Sequence, residues 1–108
     1  MIIDETALRG ALNVLHTLPP KMHSAVYESR KAESMLKHTK ALLMKRFNQL
    51  PVAAQEREAY ASEEFKAAVE ADAKAAADLA ILKARIDAAK AVIEIWRTES
   101  ATERASYG

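Results

Sequence analysis

The sequence predicts an all-α fold, a short N-terminal helix followed by a long two-helix hairpin with coiled-coil-like packing. Three observations predict it. Only two glycines and three prolines punctuate 108 residues, so turns are few and elements long. Alanine, lysine, glutamate and leucine dominate, which is the composition of helices and coiled coils. From Phe65 to Trp96, finally, one line of residues recurs at alternating steps of three and four. The length fits a single helical domain over residues 1–108.

Helix one is expected over 4–16. Asp4 can accept hydrogen bonds from the free amides of the first turn. Leu8, Leu12 and Leu15, with Ala11, then make an apolar face. The pair Pro19-Pro20 ends the helix, because proline disfavours helical geometry in the residue before it. Pro20 suits the first turn of the next helix.

Helix two is expected over 20–49, with Met22, Val26, Ala32, Leu36, Leu43, Phe47 and Leu50 at helical spacing. Polar Ser29 and Thr39 interrupt that face. Pro51 marks the end, and residues 50–61 form a connector that can hold one helical turn.

Helix three, over 62–103, opens on Ser62 as a cap, with Glu63 and Glu64 well placed against the helix dipole. Its seam reads Phe65, Ala68, Asp72, Ala75, Leu79, Leu82, Ile86, Ala89, Ile93, Trp96. More than four heptads with one charged exception argue for coiled-coil packing. The seam alanines bury little area each, so a single hairpin leaves apolar surface exposed. Self-association is the natural remedy, through Phe65, Leu79, Leu82, Ile86, Ile93 and Trp96.

Charge narrows the function classes. The formal net charge is only +1, but the average hides a segregation. Between Lys21 and Leu50 seven Lys/Arg face two Glu, a local +5, whereas Pro51–Leu82 holds three against seven, a local −4. The absence of cysteine excludes disulfides and thiolate metal sites and fits a reducing cytoplasm. The N-terminus does not read as a signal peptide, and no apolar stretch is long enough to span a bilayer, so no membrane partner is expected.

Catalysis is not expected. His16, His23 and His38 make no metal-ligand spacing, two glycines cannot build a phosphate loop, and no serine sits in a nucleophile motif. No metal or cofactor is called for.

Two cation patterns remain. Arg30 and Lys37 are seven apart, as are Lys31, His38 and Lys45, and with Lys40 and Arg46 they give helix two a basic flank. On helix three, Lys83, Lys90, Arg97 and Arg104 repeat every seven residues. Such lines are either a solvated coiled-coil flank, lysine stems covering apolar surface, or a track for a phosphate backbone. Tyr27, Phe47, Tyr60 and Tyr107 are positioned to stack bases, whereas Trp96 sits on the seam.

The stretch Leu18-Pro19-Pro20-Lys21-Met22-His23-Ser24-Ala25-Val26-Tyr27 resembles phage recombination mediators of the UvsY type, which place a Pro, a His-Ser and a Tyr at the entry to a long basic helix. The segment from Glu33 to Asn48 is similar to that family's lysine-rich helix. Asp78 to Arg97, including Leu82-Lys83-Ala84-Arg85-Ile86-Asp87, is similar to its second long helix. The ending from Trp96 to Arg104 also resembles small phage-encoded helical proteins. The chain departs from the family in being short and in lacking a basic aromatic turn after the first long helix. The resemblance implies a ring-like homo-oligomer in the host cytoplasm. Such a ring would bind single-stranded DNA and help load a recombinase or annealing protein onto strands covered by a single-strand-binding protein. Its DNA contacts would be Arg30, Lys31, Lys37, Lys40, Lys45, Arg46, Lys83, Lys90 and Arg97. The rivals are a helical protein–protein interaction module, adaptor or inhibitor, and a structural coiled-coil protein with no DNA binding.

Overall fold

The computed structural model describes residues 2–107, and the side chain of Tyr107 is not among what it describes. The fold is all-α. Three helices follow in order: α1 over Glu5–Arg46, α2 over Val52–Ala61 and α3 over Glu63–Tyr107.

Both expected caps are present. Asp4 Oδ1 accepts the Ala7 amide at 2.7 Å, which satisfies one of the orphan donors at the start of α1. Ser62 closes one helix and opens another. Its hydroxyl donates to the Ala59 carbonyl at 2.8 Å, and its Oγ accepts the Phe65 amide at 3.1 Å. With ψ at 148° it is extended, and it breaks the chain cleanly between α2 and α3.

The expected break at Pro19-Pro20 does not occur. Helices 4–16 and 20–49 are one helix of 42 residues with both prolines inside it. Each proline removes an amide, so the carbonyls of Leu15 and His16 lose their helical donors, at a cost of roughly 3 kcal/mol per site. Packing outweighs that cost. Leu8, Ala11, Leu15, Leu18, Met22, Ala25, Ser29, Ala32, Leu36, Thr39 and Leu43 alternate by three and four without a slip, and every one is buried or partly buried. A break at the prolines would throw the residues before it out of register with those after it. Both prolines lie on the exposed side. Leu12, expected on the apolar face, is instead 51% exposed, because the face runs through Leu8, Ala11 and Leu15.

The expected connector 50–61 is also corrected. It contains the ten-residue helix α2, which begins directly after Pro51. The Gln55 side-chain amide donates to the Leu50 carbonyl at 2.8 Å and ties the entry turn. Leu50, counted with the apolar face of helix two, lies outside α1 and is exposed.

Contacts divide the chain into two units. The first combines α1 up to His23 with α3 from Ala80, and the second runs from Ser24 to Leu79. In the first, Ala7, Gly10, Ala11 and Val14 lie across a groove from Arg85, Ala88, Ala89 and Val92, so the two helices run antiparallel. Glu99 accepts the backbone amides of Ile2 at 2.9 Å and Ile3 at 3.3 Å, fastening the start of the chain to α3. In the second, Ser24, Ala25 and Glu28 lie across from Ala71, Lys74 and Ala75, again antiparallel. The core is thin. Among the described residues, only Ala11, Leu18, Leu43, Ala59, Ile86 and Ala89 are buried, and three of those six are alanines.

Candidate nucleic-acid interface

The basic half of α1 belongs to the second unit, and the structure sorts its cations into two sets. Arg30, Lys31, Lys37 and Lys45 are exposed, and no carboxylate lies within ion-pair distance of them among the described residues. Helical geometry sets their arrangement. Lys31, His38 and Lys45 are spaced by seven, two turns or roughly 10.5 Å per step, and lie opposite the seam of Ala25, Ala32, Thr39 and Leu43. Arg30 and Lys37 form a second line beside the first. Tyr27, four residues before Lys31, heads the row with its side chain 64% exposed.

Lys40 and Arg46 belong to the other set. They lie closer to the seam and meet the acidic part of the same unit. Lys40 Nζ is 3.5 Å from Glu56 and 4.9 Å from the centre of the Tyr60 ring, a cation–π placement. Its ammonium holds its proton above the ordinary lysine value, chiefly through the polar Tyr60 side chain and less through Glu56, against the opposing cost of desolvation. Tyr60 packs edge-on against Phe65, ring centres 5.0 Å apart. Arg46 pairs with Glu64 at 3.0 Å, and that hydrogen bond, seconded by charge attraction, holds the Glu64 carboxyl below the ordinary glutamate value.

Part of the charge segregation is therefore intramolecular. The basic α1 and the acidic α2 and early α3 face one another in this unit, and two ion pairs join them. Lys40 and Arg46 are therefore paired within the unit, whereas Arg30, Lys31, Lys37 and Lys45 have no carboxylate partner among the described residues.

On α3, Lys83 and Lys90 are exposed, and Arg97 pairs with Glu94 one turn away at 2.9 Å. These three lie in the first unit, so they form a line of their own. The structure also gives every expected seam residue a place. Phe65, Ala68, Asp72, Ala75, Leu79, Leu82, Ile86, Ala89, Ile93 and Trp96 are all buried or partly buried within the single chain. Of the six residues assigned to self-association, Ile86 is buried at 8% exposure and Phe65, Leu79, Leu82, Ile93 and Trp96 are half-buried within the single chain. The apolar side chains left in solvent are others, among them Leu12, Met35, Leu42, Ile81 and Ile95. Reading the sequence for a single seam missed them. Their signal was present, because Met35 and Leu42 are seven apart and Ile81 and Ile95 are fourteen apart.

Among the described residues no cluster of three or more potential metal ligands occurs, and no helix is long and apolar enough to cross a membrane. Compared with protein-family models, with curated proteins and with solved structures, the chain matches none.

Proposed function

We propose that this chain is a single-stranded-DNA-binding accessory protein of recombination that holds the sugar-phosphate backbone along the outward face of α1. One observation carries the reading. Arg30, Lys31, Lys37 and Lys45 stand exposed and free of carboxylate partners in two parallel lines, headed by the exposed ring of Tyr27. Cations on a rigid helix release counterions from a phosphate backbone, and an exposed aromatic offers a stacking surface to an unpaired base. Neither feature reads base edges, so the expected binding is non-specific in sequence. Its dissociation constant at physiological salt should fall at about 10⁻⁴–10⁻⁶ M, the range for backbone-only contacts.

Fluorescence anisotropy of labelled single-stranded and double-stranded oligonucleotides tests the reading. Salt-sensitive binding that favours the single strand supports it. Equal binding to both strands would remove the stacking role of Tyr27, and no binding at low salt would overturn the proposal.

A second reading is a helical protein-interaction module, and Met35 and Leu42 favour it. They are 48% and 53% exposed, seven residues apart, and flank the Lys31–Lys45 line. An amphipathic partner helix would lay its own apolar face there. Retention of one stoichiometric protein at high salt, with no nucleic acid recovered at low salt, selects this reading over the first.

A further inference from the structure

We propose that the first unit pairs with a second copy of this chain, α3 against α3 about a two-fold axis near Ala88. The face in question is not the heptad seam. It contains a groove of about 250 Å³ lined by Ala7, Gly10, Val14, Arg85, Ala88 and Val92, among others. A Cβ added to Gly10 would meet nothing within 4 Å, so the space above it is open. Isoleucines stand on either side along α3. Ile81 and Ile95 are each seven residues from Ala88, which puts all three in one line, and they are 59% and 44% exposed.

That spacing makes the face self-complementary. In an antiparallel α3 pair centred on Ala88, Ile81 of one copy meets Ile95 of the other, and the reverse contact forms at the same time. This reciprocity is the requirement for an isologous interface. At the axis, alanine on α3 and glycine on α1 let the two backbones approach closely, while the isoleucines supply the apolar area. The area balance points the same way. The chain exposes 7969 Å², against about 6000 Å² for a compact monomer of its mass. A standard interface removes about 800 Å² from each partner, so that excess is more than enough to supply one. Two copies would also add to a core in which half the buried residues are alanines.

Sedimentation equilibrium without nucleic acid tests this independently of the DNA-binding reading. The wild-type chain is expected at twice its 11.9 kDa mass. The pair Ile81→Lys and Ile95→Lys, both at exposed positions, is expected to halve that mass while helical circular dichroism is retained. Gly10→Glu, which sets a charged side chain over the groove at a site with open space, is expected to do the same. In this cysteine-free chain, Ala88→Cys should oxidise to a covalent dimer, whereas Lys45→Cys should not. A single-chain mass for the wild type at the highest soluble concentration would overturn the proposal. So would a wild-type assembly whose mass survives both the Ile81→Lys/Ile95→Lys and the Gly10→Glu changes.

Discussion

Replacing Pro19 and Pro20 together by alanine should stabilise the protein substantially. Both prolines lie inside α1 on its exposed side, so neither ring fills the core. Alanine at each site returns an amide donor, to the Leu15 carbonyl at position 19 and to the His16 carbonyl at position 20. Proline in a helix interior costs about 3 kcal/mol relative to alanine. Against this, each proline stiffens the unfolded chain, and removing it gives back about 0.4–1 kcal/mol of that advantage. Adjacent sites share the same local distortion, so the two effects are not additive. The net expectation is about 2–5 kcal/mol. At about 4–8 °C per kcal/mol for a domain of this size, that is a rise in Tm of at least about 8 °C. Urea and thermal unfolding followed by circular dichroism at 222 nm measure it directly, as in routine helical-protein work. An unchanged or lowered Tm would refute the reasoning, because it would mean that the helix breaks at the prolines and that they serve as turn residues.

Two further predictions follow from single side chains. Asp72 is a charge at a partly buried seam position, and Asp72→Leu should raise stability by about 1 kcal/mol, half the value of a fully buried leucine. A lower Tm would place Asp72 outside the packing. For Glu64, Arg46 depresses the carboxyl below its ordinary value of 4.5, so the stabilisation is present above that pH and is lost as pH falls through the lower folded-state value. Glu64→Gln should therefore lower the urea midpoint at pH 7, with the difference from wild type shrinking on acidification below 4.5. The same difference at every pH would remove the ion pair as its cause.

Much of this fold was legible because local chemistry decided it. Asp4 and Ser62 cap helices with side-chain oxygens, and the residue types alone announce that ability. The α3 seam from Phe65 to Trp96 was legible because one period held for more than four heptads, and all ten positions turn inward. The α1 seam is less legible, for two reasons. Prolines ordinarily end a helix, yet the Leu8–Leu43 period passes through Pro19 and Pro20 in phase. Ser29 and Thr39 are polar and interrupt the apolar pattern, although both are partly buried on the seam. Leu12 is as apolar as its seam neighbours, and only the register of the partner helix leaves it exposed.

The candidate site was half legible. Spacing alone gave the rows Lys31–His38–Lys45 and Arg30–Lys37. Spacing could not show that Lys40 turns to Tyr60 and Glu56, or that Arg46 turns to Glu64. Those contacts depend on the ten-residue α2, which the residues around Pro51 did not announce, and on where α3 begins.

The most direct test of the central claim is the salt dependence of single-stranded DNA binding by the wild type and by a variant carrying Lys31→Ala, Lys37→Ala and Lys45→Ala. Four free cations predict a slope of log K against log salt near about −2.8, and one remaining cation predicts about −0.7. A parallel drop in affinity at low salt, with helical content unchanged, is the result this account predicts. Identical slopes for the two proteins would contradict it, and would take the outward face of α1 out of the interface.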